Sequence, residues 1–165
     1  RIFSCFIYPM LFRVLMTIVS VALAQTALAE GPNFIQRTPD YFIDRYGTPK
    51  MSQNVQEVSS LHEKHGMVKL KGRFNVREFF HGQLHVRAIF ALPSLTLISV
   101  RLDVPAHWRA ERIEAALSTY GSNWRKEYQG EKVKTWKDSK GLKAVLFFST
   151  LEIQSPNIAT RIRRL

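Results

Sequence analysis

From Leu84 to Leu102 the chain alternates between apolar and polar residues. Leu84, Val86, Ala88 and Phe90 are interleaved with Gln83, His85 and Arg87, and Ile98, Val100 and Leu102 with Ser99 and Arg101. Successive side chains of a strand point to opposite faces, so this period of two predicts half-buried antiparallel strands. Leu92-Pro93-Ser94 separates the two runs as a turn, and His81-Gly82 joins the first to an earlier strand over Phe74–Phe80. Further strands are expected at Trp124–Tyr128, Val133–Trp136 and Leu142–Phe148, with Asp138-Ser139-Lys140-Gly141 as a turn cluster. Leu151–Ile153 either prolongs the last of these or forms another, which gives a sheet of about six strands.

Two helices break this pattern. Thr38-Pro39-Asp40 opens the first: Thr38 caps it, Pro39 suits the first helical position, and Asp40 meets the positive end of the dipole. Phe42, Ile43 and Tyr46 share a face, and Gly47 with Thr48-Pro49 stops it. The second places Ile113, Ala116, Leu117 and Tyr120 at i, i+3, i+4 and i+7 and ends at Gly121. Between the first helix and the strands, residues 50–66 are polar and aperiodic. They read as a long surface loop, with a short helix around Val55–His62 as an option. Residues 156–165 read as a basic tail.

Phe42-Ile43-Asp44-Arg45-Tyr46-Gly47-Thr48 parallels Ala116-Leu117-Ser118-Thr119-Tyr120-Gly121-Ser122. This suggests two helix–hairpin repeats, although any helix ending on a packed aromatic and a glycine looks alike. The expected class is therefore α+β: one antiparallel sheet with two main helices on one face. Over 38–49 and 109–148 this arrangement resembles small bacterial envelope proteins, such as outer-membrane assembly lipoproteins and tandem-repeat β-lactamase inhibitor proteins. The former carry a lipidated cysteine and the latter disulfides; this chain has one cysteine, Cys5.

Residues 1–29 contain no Asp or Glu. Val14–Ala24 is an apolar run that follows Arg13 and precedes Ala27-Leu28-Ala29, the layout of a secretory signal peptide with cleavage after Ala29. Met10 or Met16 would be its start. A spanning anchor needs about 20 apolar residues, and the stretch reaches that length only by enclosing Arg13 and Pro9. The expected organisation is a signal peptide at 1–29, one domain at 30–155 and the tail at 156–165. It implies a periplasmic or secreted protein with no membrane anchor after cleavage.

No catalytic constellation stands out. Residues 30–165 have no thiol, and the chain lacks a GxSxG elbow, a GxGxxG or GxxxxGKS phosphate loop and an HExxH zinc motif. His62 and His65 share a face only if 55–65 is helical, and His81 and His85 are spaced for one face of a strand or of a helix, yet zinc needs four ligands. No metal and no cofactor is expected. The basic balance is the informative quantity: 24 Lys and Arg against 13 Asp and Glu. The excess falls at 61–90 and 121–150, each carrying +4.

If the strands share a sheet, Lys69, Lys71, Arg73, Arg77, Arg87, Lys132, Lys134 and Lys143 populate its outer face and favour an anionic partner. For an exported protein that means lipid head groups, an anionic glycan or an acidic protein, and not nucleic acid. Trp124 and Trp136 lie among Arg125, Lys126, Lys134 and Lys137, so a ligand-stacking surface competes with a place in the core. The leading expectation is a small exported binding domain. The alternatives are a small hydrolase-like enzyme with a dispersed site under the 50–66 loop, and an envelope assembly factor acting by strand-edge pairing.

Overall fold

The computed structural model describes residues 33–103 and 110–163. The expected signal peptide lies outside them. The chain folds into one eight-stranded antiparallel sheet, not six strands, in the order β1-β2-β3-β4-β8-β7-β6-β5. The strands are β1 (Met51–His62), β2 (Gly66–His81), β3 (Leu84–Ala91), β4 (Thr96–Asp103), β5 (Arg125–Gln129), β6 (Val133–Lys137), β7 (Lys143–Phe147) and β8 (Thr150–Gln154). Three short helices accompany them: α1 (Pro39–Tyr46), α2 (Ala110–Tyr120) and α3 (Pro156–Arg163). Each of α1 and α2 is followed by four strands that meander antiparallel to one another. The two meanders join in the middle through β4 and β8. The unit after each helix is thus a four-stranded meander, where the sequence suggested a hairpin.

The helix ends form for two reasons. Gly47 takes a φ of +84°, which a residue with a Cβ adopts only with strain. Gly121 instead lies under Trp124, where a Cβ would meet the indole at 2.6 Å. Thr38 occupies the cap position of α1 without a side-chain hydrogen bond, so Pro39 and Asp40 carry the expected start signal.

Helices pack on both faces of the sheet, which corrects the expected one-sided layer. On one face Phe42, Leu117 and Tyr120 meet Phe79, Phe90, Val100, Leu151 and Trp136. Phe42 is fully buried, stacked on Phe79 at 5.9 Å and edge-on to Phe90 at 5.8 Å. On the other face Ile158 and Ile162 of α3 pack against Val58, Leu70, Phe74, Val76 and Ile89. The expected basic tail is therefore a docked helix: Ile158 and Ile162, one turn apart, bury its apolar stripe.

The expected 50–66 loop is β1, and β2 starts eight residues before the strand foreseen at Phe74. A β-bulge shifts the register where Gln56 of β1 faces Gly72 and Arg73 of β2, and the apolar residues of β1 on the α3 face pass from Val55 to Val58, so no period of two runs through the strand in the sequence. The far half of this long hairpin folds over the α3 face. His62 at its tip accepts hydrogen bonds at Nδ1 from the Lys64 and His65 amides, at 2.9 and 3.2 Å. Glu63 pairs with Lys143, and Leu61 packs with Val133 and Val145.

Beneath the hairpin lies a buried polar cluster centred on Glu152, which is fully buried. One carboxylate oxygen accepts from the Ser60 and Ser99 hydroxyls. The other accepts from the Leu61 amide at 2.9 Å and Arg101 Nη2 at 3.0 Å. Arg101 Nη2 also donates to Ser59 O at 2.7 Å, and Gln154 Nε2 to Leu61 O at 2.8 Å. Side chains of β4 and β8 therefore satisfy backbone groups on the edge of β1 that no neighbouring strand reaches.

Candidate functional site

The eight basic residues singled out by the sequence do not share one surface. Along β2 the odd-numbered residues project to the side of Phe79, so Lys69, Lys71, Arg73 and Arg77 form a single row. Lys69, Lys71 and Arg73 are exposed and Arg77 is half-buried. Lys69, Lys71 and Arg73 follow one another about 7 Å apart across the bulge at Gly72 and Arg73, and Arg77 stands about 13 Å further along, so the row spans about 27 Å. Lys69 pairs with Glu57 at 2.9 Å, across the hairpin. Arg77 Nε donates to Asn75, whose amide donates in turn to Asn54 at 2.8 Å, which fixes the base of the row.

The other four go elsewhere. Arg87 lies on the opposite face, its Nε 2.7 Å from Glu78. Lys143 is buried and neutralised by Glu63, which that hydrogen bond holds below the usual carboxylate range. Lys132 is exposed in the turn before β6, and Lys134 is half-buried on β6. Strand register decides this separation, and a charge count along the sequence does not contain it.

Trp136 is buried in the helix-face core, and half-buried Trp124 packs beside it with its Nε1 donating to Leu117 O at 2.9 Å. Both line an open cleft of about 390 Å³ with Asn123 and Lys126. They are core and core-edge residues with one flank exposed. Trp108 lies outside the described residues.

The histidine pairs separate as well. His62 and His65 stay together, with ring centroids 4.5 Å apart. His81 and His85 sit on opposite faces, because the turn at Gly82 reverses the alternation. His85 stacks on Phe80 at 4.5 Å, with Nδ1 2.7 Å from Asp103 and Nε2 3.5 Å from Glu78. Among the described residues no group of three or more His, Cys, Asp or Glu could hold a metal ion, and no helix is long and apolar enough to cross a membrane.

A second cleft, of about 430 Å³, lies between α1, α2 and the ends of β2, β3 and β4. Tyr46 and Tyr120, the last residues of their helices, meet in it with their hydroxyls 2.9 Å apart. Burial holds the Tyr120 phenol well above its usual range, so it keeps its proton. The Tyr-Gly parallel at the two helix ends was the one available signal for this juxtaposition.

Comparison with known protein families, curated proteins and solved structures finds no match to this chain.

Proposed function

We propose that this chain is an exported, non-catalytic binding module whose β2 row engages closely spaced phosphate, sulfate or carboxylate groups of lipid head groups or a glycan. The observation that carries the reading is the strand pattern: Lys69, Lys71, Arg73 and Arg77 stand on one side of one strand, with Glu57 as the only carboxylate paired to them among the described residues. A row of like charges summed over one surface raises local anion concentration more than the same charges scattered.

Two observations count against the alternatives. The expected loop over a hydrolytic site is strand β1, so the cover that reading needs is missing. Edge pairing is disfavoured because Arg101, Glu152 and Gln154 already occupy the edge of β1 near its tip. The other edge strand, β5, carries a bulge at Glu127 and the cations Arg125 and Lys126, both features that discourage strand addition.

Co-sedimentation with vesicles containing phosphatidylglycerol, and retention on heparin, test the reading and separate its two sources of anion. The triple variant Lys69→Gln, Lys71→Gln, Arg73→Gln should lose most binding. A control with the same charge change on the other unit, Lys126→Gln, Lys137→Gln, Lys140→Gln, should keep it. Equal losses in both would refute the assignment to β2 and leave only a net-charge effect. Export is tested at the N-terminus: mass spectrometry should find Glu30 first, and an intact terminus upstream of Ala22 would contradict it.

A further inference from the structure

We infer that the cleft between α1 and α2 is a second, separate binding site, for a small amphiphilic anion with an oxyanion head and an apolar body. Its lining divides by chemistry. Arg45, Arg112, His81 and the tyrosine pair supply the polar part, while Leu84, Leu102 and Ala116 are apolar. No carboxylate is among the described residues that line it. A volume of about 430 Å³ falls in the range of small-molecule sites, roughly 300–1,000 Å³.

Hydrogen-bond counting sharpens the head-group assignment. Tyr46 and Tyr120 have two hydroxyl protons, and one is used between them at 2.9 Å. Arg45 Nε donates to the Tyr46 oxygen at 3.2 Å and so consumes acceptor capacity rather than supplying it. One phenolic proton is left over and faces no acceptor among the described residues. Thr119 spends its hydroxyl on Ala115 O, at 3.1 Å. Arg112, exposed on α2, makes no hydrogen bond or ion pair with any described residue. His81 lies edge-on to Tyr46 at 6.4 Å. The cleft therefore presents an excess of donors, two of them permanently charged, beside an apolar wall. Donors without acceptors in a concave site call for an oxyanion, and the wall calls for a hydrocarbon or ring attached to it. A bare phosphate would leave that wall wet, and a cation would meet two guanidinium groups.

The site shares no residue with the β2 row, so the two are separable by mutation. The test is calorimetric or NMR titration of the full chain with octanoate and octyl phosphate, against octyltrimethylammonium and inorganic phosphate. The proposal expects both octyl anions to bind at least tenfold more tightly than either control. Arg45→Gln with Arg112→Gln should weaken them by tenfold or more. These arginines are on the surface, so the fold should survive, as an unchanged melting temperature would show. Tyr46→Phe keeps the ring and removes one hydroxyl, and should weaken binding severalfold. The Lys69, Lys71, Arg73 triple variant should bind octanoate unchanged. Equal affinity for octanoate and octyltrimethylammonium, no saturable binding, or an unaltered affinity in the arginine double variant would overturn the proposal.

Discussion

Glu152→Ala is the most informative single perturbation of the fold. The carboxylate is fully buried and receives hydrogen bonds from Ser60, Ser99, the Leu61 amide and Arg101. Removing one member of a buried ion pair costs about 3–5 kcal/mol, because the remaining charge stays desolvated. Arg101 keeps Ser59 O at 2.7 Å, which places the cost toward the lower end. The Leu61 amide keeps nothing, and an orphaned buried donor costs about 1–3 kcal/mol. We expect a loss of about 4 kcal/mol, a large fraction of a typical domain stability of about 5–15 kcal/mol.

Glu152→Gln retains the volume and one acceptor, and should cost about 1–3 kcal/mol. Arg101→Met with Glu152→Leu removes both charges, so it should cost less than the sum of the single changes. It should not reach wild-type stability, since Ser59 O and the Leu61 amide still lack partners. Urea denaturation with an unchanged m-value measures the global term. Amide exchange at Leu61 measures whether the hairpin edge opens locally. A loss below about 1 kcal/mol with the Leu61 amide still protected would refute the claim that this cluster holds the β1 edge.

Phe42→Ala removes the ring between Phe79 and Phe90 and should cost about 3–5 kcal/mol, read by thermal or urea unfolding. A loss near 1 kcal/mol would mean that α1 contributes little to that core. Acidification should loosen the β1–β2 tip. Burial, then repulsion from His65, lowers the His62 pKa, and its Nδ1 accepts two amides only when unprotonated. The unfolded chain therefore takes up this proton first, and stability falls as pH drops through about 6.5. Glu63, held low by Lys143, adds a further loss below the usual carboxylate value of about 4.3. His62→Asn offers an acceptor that does not titrate and should flatten the first of these declines. An unchanged pH profile of unfolding in that variant would contradict the assignment.

The elements that were legible in the sequence have strong local grammar. Thr38-Pro39 and Gly47 bound α1, and the alternation at 84–90 and 98–102 marks β3 and β4. What was missed depends on partners far along the chain. β1 looks like a loop because a bulge breaks its period and because Ser60 and His62 turn inward. Ser60 finds Glu152, a residue that no local window contains. The α3 helix was foreshadowed by Pro156 after Ser155 and by Ile158 and Ile162, the same signals that located α1, but three arginines masked them. The basic row was half legible: the residues of β2 share a side, whereas Arg87 and Lys143 are reversed by strand order. The tyrosine cleft joins residues 74 positions apart, so helix packing alone creates it.

The measurement that bears most directly on the binding account is an amide chemical-shift map of the full chain titrated with a heparin oligosaccharide at two salt concentrations. The account predicts shifts concentrated on residues 67–77 of β2 and their partners on β1. It also predicts an affinity that drops steeply with salt, because surface charges are screened within about 8 Å at physiological ionic strength. Shifts centred on β5, α3 or spread over the surface, or an affinity indifferent to salt, would contradict it.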